Sequence, residues 1–347
     1  MNKIEKALLG KLKEHKNCSR KNCQINVFKK RYYIGPENIK ITNYLRTRPI
    51  AIFNPGAVLN GKKLHIFPRL IFDYYKYTSS IGVFSLDVEK LLRGETSKNI
   101  ETEIILWPQQ LWEFLGCEDA RVTIHKDSYY LLYTGKGYYY GEKNELLRRD
   151  VLGFAELDQN YTPKRKGYFS IEDEGESFLP KTTKDSAFIK ITGNNASMLT
   201  RFEVGNTLAC WHASGNLESL AFNIEDIEPV LLPESWEHKV GWSTNTVKLS
   251  DDEYLVGWHA VLKEDLSYRN GLALVDGNGK LKAVSDYLLT PIGLNEEYGD
   301  RAMVIFGDGL IIYQDKLLWI GGVSDYCIGI FIARLEDIMK ELIFCNR

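Results

Sequence analysis

Apolar and polar positions alternate over most of this chain, in short runs rich in β-branched and aromatic residues. Such alternation is typical of β-strands that bury one face. Only the beginning differs, because Ile4, Leu8 and Leu12 follow one another at a spacing of four among lysines. That spacing predicts an amphipathic helix within residues 1–20, packed against the rest of the chain or against a second subunit. The chain is therefore predicted to be all-β with a short N-terminal helix.

One pattern of strand, tight turn, strand and third strand recurs five times. The third strands are the most alike, and each ends in an acidic residue: IGVFSLD at Asp87, LGFAELD at Asp158, LAFNIED at Asp226, GLALVD at Asp276 and IGIFIARLED at Asp337. The turns before them are predicted at Asn60-Gly61, Lys126-Asp127, Gly193-Asn194, Ser250-Asp251 and Gln314-Asp315. Five such units favour a five-bladed β-propeller over residues 48–345, as one domain. A β-sandwich with accidental self-similarity is the alternative.

Polar residues recur at equivalent places in these repeats. In a propeller the start of each innermost strand lies beside the end of its antiparallel neighbour, at one mouth of the central channel. The predicted starts hold Asn54, Glu118, Asp119, Lys184, Asp185 and Ser243, and the predicted ends hold Arg69, Thr134, Arg201, His259 and Asp325. Each alone could belong to a structural ion pair, because a buried charge is costly unless it is paired or functional. Together they predict a site at the mouth.

The residue types suggest carbohydrate chemistry at this site. Asp119 and Asp325 can act as acids or accept hydrogen bonds from hydroxyl groups, and glycosyl transfer needs a carboxylic acid beside the leaving oxygen. The basic residues suited to a phosphate group are Lys184, Arg201, Lys239 and His259. The chain has no glycine-rich nucleotide loop of the usual spacing, no His-Glu-x-x-His and no cysteine–histidine cluster. We therefore expect neither a metal nor a cofactor.

Composition narrows the choice of partners and compartment. The net charge of −2 argues against a general nucleic-acid binder, whose affinity would depend on a basic surface. No apolar run reaches the length of a membrane span, and the N-terminus lacks the apolar core of a signal peptide. The six cysteines show no zinc-site spacing, so we expect all of them to be reduced and the protein to be cytoplasmic.

At these residues the sequence resembles glycoside hydrolase family 130, the β-mannoside phosphorylases, whose members are five-bladed propellers. The resemblance is carried by FNPGAVL (53–59), GCEDARV (116–122), TKDSAFI (183–189) with TRF (200–202), WEHKVGWS (236–243) with VGWHAV (256–261), and YGDRAMVIF (298–306) with IGGVSD (320–325). The chain departs from the family pattern at Ala120, where the signature has proline, and at Trp258 and Ala260, which flank the histidine. In addition, Lys184 stands where some members have arginine.

The resemblance implies a role for each residue of the site. Asp119 would be the general acid, its proton passing through a hydroxyl of the mannose itself. Asn54, Arg69, Arg121 and Asp325 would bind the sugar, and Lys184, Arg201, Lys239 and His259 would bind phosphate. The implied reaction is inverting phosphorolysis of a β-mannoside to α-mannose 1-phosphate, so the expected partners are an oligosaccharide and inorganic phosphate. A homo-oligomer is compatible with this assignment.

Two other functions remain open on the same scaffold. An inverting hydrolase would need a second carboxylate to activate water, with the two carboxyl groups about 6.5–9.5 Å apart. Family members that hydrolyse lack part of the basic set, which this chain keeps, so phosphorolysis is favoured. A non-catalytic sugar-binding propeller is the other alternative, and the presence of Asp119 and Arg121 argues against it.

Overall fold

The computed structural model describes residues 2–95, 98–141 and 143–345. The N-terminal helix α1 spans Lys3–Glu14, and its buried residues are the three predicted ones, Ile4, Leu8 and Leu12. It packs against a core cluster that contains Phe202. The strands β1 (Lys30–Ile34) and β2 (Ile39–Ile41) follow. Both lie before residue 48, the predicted start of the repeats, yet each pairs with a later strand.

Five consecutive sets of mainly antiparallel strands make up the rest of the described chain. The first set contains β3 (Ala51–Asn60), β4 (Lys63–Ile71), β5 (Ser79–Asp87), the helix α2 (Val88–Leu92) and β6 (Ile100–Leu106), with β2 beside β6. The second contains β7 (Gly116–His125), β8 (Ser128–Tyr140), β9 (Leu146–Leu157) and β10 (Pro163–Tyr168). A single parallel bridge between Ser79 and Gly116 joins these two sets.

The third set is the most elaborate. It contains β11 (Ser170–Asp173), β12 (Glu176–Phe178), β13 (Thr183–Thr192), β14 (Asn195–Val204), β15 (Thr207–Leu208), β16 (Cys210–Asn216), β17 (Ala221–Asn223) and β18 (Glu228–Leu231). Here the predicted third strand is wrong. The strand that pairs with β14 is β16, whereas LAFNIED forms the outer strand β17 and a 3-10 helix. The acidic ending shared with the other repeats misled the assignment, because Asp226 ends a helical turn here.

The fourth and fifth sets complete the chain. The fourth contains β19 (Glu237–Ser250), β20 (Glu253–Leu262), β21 (Tyr268–Val275) and β22 (Leu281–Val284), and a helix α3 (Leu294–Glu297) follows it. The fifth contains β23 (Ile305–Tyr313), β24 (Lys316–Val323) and β25 (Cys327–Arg334). After α4 (Leu335–Lys340), the short strand β26 (Ile343–Phe344) returns to pair with β22, and β1 pairs with β25. The strands β1 and β26 therefore extend the last two sets, whereas α1 packs against the third.

The predicted turns agree with the structure at or within one residue. Those at Lys126-Asp127, Gly193-Asn194 and Gln314-Asp315 are turns as predicted. In the first and fourth sets the turn lies one residue later, at residues 61–62 and 251–252. Each of these turns joins two long antiparallel strands of a set, and we call the earlier of the two the first strand, although β11 and β12 precede β13 in the third set. The first strands β3, β7, β13, β19 and β23 contact one another in chain order, and β23 also contacts β3.

The expectation that all six cysteines are reduced is wrong for one pair. Cys18 and Cys345 form a disulfide, with their Cα atoms 5.6 Å apart and a sequence separation of 327. The pairing of β26 with β22 brings the C-terminal cysteine to the segment after α1, a proximity that sequence spacing cannot reveal. The other four cysteines are free.

Among the described residues, no helix is both long and apolar enough to cross a membrane.

A buried ion pair also fastens the segment after α1. The guanidinium of Arg20 contacts the Glu237 carboxylate, and both side chains are fully buried. Arg20 also lies over the Trp258 ring, 4.8 Å from its centroid. Glu237 accepts a further hydrogen bond from the Tyr287 hydroxyl at 2.6 Å. Removing one member of a buried pair leaves the other charge without compensation, which is usually more damaging than removing both.

Substitution of Arg20→Met should therefore lower the free energy of unfolding by roughly 3–5 kcal/mol, because the Glu237 carboxylate would stay buried without its cation. The double variant Arg20→Met/Glu237→Gln should recover part of that loss, since it buries no charge. Urea unfolding at pH 7, with the disulfide intact, measures both. As a control, Arg334→Met removes the exposed pair with Asp337 and should cost less than about 1 kcal/mol. A double variant no more stable than the single one would contradict this account.

Candidate active site

A β-bulge interrupts the first strand of every set at an equivalent place. The shifts in register occur at Asn54-Pro55, Asp119-Ala120, Asp185-Ser186, Ser243 to Asn245, and Asp308. Asn54, Asp119 and Asp185 have φ angles of 44°, 54° and 52°, the left-handed region that residues other than glycine rarely adopt. A bulge leaves its extra residue outside the ladder and redirects the side chain. The repeat thus aims polar side chains from several sets at one point.

That point is a cavity of about 260 Å³. Eight of the nine predicted site residues line it: Asn54, Arg69, Asp119, Lys184, Arg201, Lys239, His259 and Asp325. Five further polar residues that were not assigned a role also line it: Tyr77, Glu118, Lys136, Tyr268 and Arg301. Asp185 completes the polar wall. The apolar part is small, so the cavity suits a strongly polar ligand.

Asp119 is held by one of its two carboxylate oxygens. Oδ1 accepts a hydrogen bond from Asn54 Nδ2 at 2.9 Å and another from Arg69 Nη1 at 3.3 Å. No described residue donates to Oδ2. In addition, the backbone of β24 approaches Asn54 so closely that a Cβ on Gly322 would lie 2.0 Å from Asn54 Oδ1. A glycine at this position therefore lets the fifth set support the side chain that positions Asp119.

Arg69 and Glu118 form the adjacent wall. Arg69 Nη2 donates to Glu118 Oε1 at 2.8 Å, and its Nε donates to Ser79 Oγ at 2.8 Å. Burial raises the pKa of Glu118, but the positive charges of Arg69, Lys184 and Lys136 outweigh it and lower the pKa to about 2. Glu118 is therefore ionised at neutral pH, which makes it unsuitable as a proton donor there.

The structure places Arg121 beneath the cavity rather than in its wall. Its Nε donates to the Ser243 carbonyl oxygen at 2.6 Å, and Nη1 donates to the Asp119 carbonyl oxygen at 2.9 Å. Nη2 lies 2.8 Å from Asp308 Oδ1 and 3.4 Å from Asp185 Oδ1. All of these contacts lie within the protein, so Arg121 supports the backbone at Asp119, and its assignment as a substrate-binding residue stays a prediction.

Three of the four predicted phosphate-binding residues form one wall around Asp185 and Tyr268. Arg201 Nε lies 2.8 Å from Asp185 Oδ2, while Arg201 Nη1 is buried without a hydrogen-bond partner among the described residues. His259 stacks on Tyr268 with ring centroids 5.5 Å apart, and Lys239 Nζ donates to the Tyr268 hydroxyl at 3.2 Å. This wall depends on a glycine. A Cβ on Gly241 would lie 2.6 Å from the His259 ring and 2.7 Å from Asp185 Oδ2.

The charges of this wall differ from the predicted set of four cations. Burial lowers the pKa of His259 well below its usual value, so the imidazole is neutral at pH 7. Ser243 Oγ lies 3.0 Å from His259 Nδ1, which leaves Nε2 on the side of Asp185. Burial, together with the neighbouring Arg201, lowers the pKa of Lys239 to about 7. Lys184 keeps a carboxylate partner, Asp150, with Nζ 2.8 Å from its Oδ2.

Asp325 faces the same cavity from the end of β24. Burial raises the pKa of this carboxyl to about 6, against the opposing charges of Arg69 and Arg301. No described residue donates a hydrogen bond to it. Among the carboxyl groups of the wall whose pKa is shifted, Asp325 thus has the pKa nearest 7.

Two of the cavity residues that were not predicted, Lys136 and Arg301, could have been found from the sequence. Thr134 was predicted at the end of β8, but the strand continues to Tyr140. Lys136 lies two residues beyond Thr134 on the same face and lines the cavity. Arg301 lies inside the motif YGDRAMVIF. Tyr77 comes from the loop between β4 and β5, where no periodicity could have indicated it.

A family model described as β-1,4-mannooligosaccharide phosphorylase, that of glycoside hydrolase family 130, matches residues 18–343. The chain belongs to this family. Members of family 130 are phosphorylases or glycosidases. The matched range includes the segment after α1 with β1 and β2, in agreement with their place in the sheets.

Named relatives of family 130 agree with this membership. A β-1,2-mannobiose phosphorylase from Thermoanaerobacter sp. (strain X514) is 25% identical over 305 residues, which cover 83% of this chain and 91% of the relative. The structure of the β-1,2-mannobiose phosphorylase from Listeria innocua with β-1,2-mannobiose has a TM-score of 0.66 at 18% identity, covering 90% of this chain and 98% of that chain. At that identity the likeness shows a shared fold.

A second solved structure carries the description that the family of mannoside phosphorylases contains glycoside hydrolases that target β-1,2 mannosidic linkages in Candida mannan. It has a TM-score of 0.59 at 14% identity and covers 82% of this chain and 85% of that chain. Family membership therefore leaves two reactions to be distinguished by the residues of the site.

The raised pKa of Asp325 predicts a pH-dependent gain in stability for Asp325→Asn. The folded state holds the proton of this carboxyl more tightly than the unfolded state, so stability is lost as the pH rises through about 6. The variant cannot ionise and should be more stable than the parent at pH 8 by about 1–3 kcal/mol, with no such gain near pH 4. Thermal unfolding of both proteins from pH 4 to pH 8 measures the difference.

Asp185→Asn is the matched control, because the charges of Arg201 and Arg121 outweigh burial and lower the pKa of Asp185 to about 2. Its stabilising ionisation is complete above the ordinary pKa of aspartate, so this variant should be destabilised at pH 8. Equal pH profiles for the two variants would contradict the assigned environments.

Proposed function

We propose that this chain is an inverting phosphorylase that cleaves β-mannosides with inorganic phosphate and releases α-mannose 1-phosphate. The observation that carries the proposal is the wall around Asp185, where Arg201 has a buried, unpartnered Nη1 beside Lys239 and His259. A buried donor without an acceptor costs free energy, and a phosphate oxygen would satisfy it. Family membership supports the same reaction.

The balance of charges in the cavity also favours an anion. Six lysines and arginines, one histidine and four carboxyl groups line it among the described residues. Glu118 and Asp185 are already paired with arginines. An anion of charge −1 to −2 would compensate the remaining excess of positive charge. It would also raise the pKa of Lys239 and His259, so that phosphate would gain charged donors as it binds.

The five strand sets are, in this proposal, the blades of a five-bladed propeller, and residues 48–345 form one catalytic domain to which β1 and β2 add outer strands. The contacts between successive first strands, and between β23 and β3, support closure into a ring. The bulged residues of each first strand would then surround the channel. The Cys18–Cys345 disulfide joins the segment after α1 to the last strand.

Asp119 is assigned as the general acid. Its Oδ1 is fixed by Asn54 and Arg69, whereas Oδ2 has no donor among the described residues and can face a substrate hydroxyl or the leaving oxygen. As the glycosidic C–O bond breaks, the proton of Asp119 passes to the leaving oxygen, directly or through a hydroxyl of the sugar. The arginine and the amide then stabilise the aspartate that remains.

Phosphate is the attacking group in this scheme, so the protein needs no general base. One phosphate oxygen forms the new bond to the anomeric carbon from the face opposite the leaving oxygen, which inverts the configuration. Arg201, Lys184, Lys239 and His259 would hold the other oxygens. Their positive charge lowers the repulsion between the attacking anion and the electron-rich sugar oxygens.

One observation favours the alternative of an inverting hydrolase. Asp325 has a pKa of about 6, which suits a base that activates water near neutral pH. The two assignments differ in their need for phosphate, because a hydrolase would release free mannose in phosphate-free buffer. The basic wall around Asp185 has no purpose in that reaction, so we favour phosphorolysis.

Replacement of Asp119 by asparagine should abolish most turnover while the fold is retained. The loss should be about 10²–10⁴-fold in kcat, the typical contribution of a general acid. Release of mannose 1-phosphate from a β-mannobiose panel measures it, with far-UV circular dichroism as the folding check. Asp127→Asn, in the exposed turn of the same hairpin, is the matched control and should keep parental activity. Near-parental turnover by Asp119→Asn would make this carboxylate structural.

Truncation of Arg201 to alanine should weaken phosphate binding far more than mannoside binding. We expect the KM for phosphate to rise at least about tenfold, the effect of losing a charge-assisted hydrogen bond, with a smaller change in the KM for the mannoside. Initial rates at varied concentrations of each substrate separate the two effects. Arg93→Ala, at an exposed arginine paired with Glu95, is the control. Equal rates without phosphate, with free mannose as product, would establish hydrolysis instead.

A further inference from the structure

A second concavity lies on the outer side of the first strand set. Its volume is about 780 Å³, three times that of the catalytic cavity. We call it the aromatic groove, and it is formed by the segment after β2, the loop between β4 and β5, and the residues after β6. Its apolar wall consists of Tyr44, Phe72, Tyr75, Ile104, Trp107 and Pro108.

Three rings of this wall are open to solvent. Tyr75 is 89% exposed, Tyr44 49% and Trp107 47%. Aromatic side chains are strongly favoured inside proteins, and a cluster of them at the surface usually marks a binding site. The fold gives these rings no internal role to explain their exposure.

The aromatic groove adjoins the catalytic cavity across the loop between β4 and β5. Ser79 lines the groove, while its Oγ accepts a hydrogen bond from Arg69, which lines the cavity and contacts Asp119. A second link is the stack of Tyr74 on Tyr77, with ring centroids 5.8 Å apart, because Tyr77 forms part of the cavity wall. Only this loop therefore separates the two, and a ligand that extends out of the cavity past Tyr77 would come next to the groove.

Local hydrogen bonds hold the groove in shape. Asn43 Nδ2 donates to the Ile104 carbonyl oxygen, and its Oδ1 accepts from the Ile104 amide, both at 2.9 Å. The Tyr44 ring packs edge-on against Phe72, 4.9 Å between centroids, and Asp73 Oδ1 accepts from the Tyr75 amide at 2.8 Å. A surface fixed in this way loses little conformational freedom when a ligand binds.

The chemistry of the groove selects a neutral, amphipathic ligand. Its lining contains one acidic and one basic residue, Asp73 and Lys76, so it offers no net attraction to an ion. Rings with an amide and hydroxyls at their edges match a sugar, which presents apolar C–H faces and hydroxyl edges. We propose that the aromatic groove binds the sugar units of an oligosaccharide that lie beyond the bond being cleaved. This inference rests on the proposed function of the adjoining cavity.

The test compares ligand length, without turnover, in the full chain. β-1,2- and β-1,4-mannooligosaccharides of two to six units are titrated in phosphate-free buffer by calorimetry. Affinity for the hexasaccharide should exceed that for the disaccharide by at least about tenfold in the parent. Tyr75→Ala and Trp107→Ala should each remove most of that gain, so the longer ligand loses at least about five times more affinity than the shorter one.

A second measurement needs no variant. Trp107 is the most exposed tryptophan of the chain, so iodide should quench its fluorescence, and a bound hexasaccharide should protect it whereas the disaccharide should not. Tyr140→Ala is the matched control for the substitutions, because this tyrosine is 67% exposed but lies outside the groove. Its affinities should equal those of the parent.

Each contrary result is decisive. Equal affinity for all lengths in the parent, or equal losses for short and long ligands in the variants, would overturn the inference. A change from dimer to monomer on Trp107→Ala, seen by light scattering, would assign the rings to a subunit interface instead. Turnover in phosphate is measured separately. Length-dependent affinity without mannoside turnover would support the sugar-binding role of the groove but reject the proposed function. Turnover without length dependence would reject only the sugar-binding role of the groove.

Discussion

The buried guanidinium of Arg121 connects the strands at the centre of the molecule. It contacts its own strand at the Asp119 carbonyl oxygen and three other first strands at Ser243, Asp185 and Asp308. Each contact falls at a bulge, where the ladder has released a backbone or side-chain group from its usual partner. The remaining first strand, β3, also comes close to this point, since a Cβ on Gly56 would lie 2.2 Å from the carbonyl oxygen of Ala120. The position of the Asp119 carboxylate therefore depends on one cation beneath it.

Burying these charged groups together has an electrostatic cost, which determines which groups near the cavity stay ionised. Burial raises the pKa of Asp308 well above its usual value even beside Arg121, so the centre of the molecule holds fewer full charges than its residue types suggest. Above that layer, Glu118 and Asp185 stay ionised because arginines face them. The residual positive potential is left on the side of Arg201 and Lys239. The phosphate site that we propose there would need no glycine-rich loop, since side chains from several strands supply the donors.

The outer strands and loops differ from the first strands in what they hold in place. The chain ends are tied to the last two strand sets by β1, by β26, by the Cys18–Cys345 disulfide and by the Arg20–Glu237 pair. In contrast, the loops of the first set leave aromatic rings exposed beside the cavity. The first strands thus fix the polar side chains of the cavity, whereas the loops that join outer strands hold aromatic rings at the surface beside it.

The sequence by itself determined the strand periodicity, the N-terminal helix and most of the wall of the cavity, because side chains alternate along a strand and repeats place equivalent residues together. Asp119, Arg69 and Arg201 follow from that regularity. Tertiary structure alone decided what depends on contacts between distant segments. Arg121 lies beneath the wall because four strands converge on it, Cys18 meets Cys345 because β26 returns to the fourth set, and His259 is neutral because neighbouring sets bury it. These outcomes depend on distances and burial, which no local pattern of residues encodes.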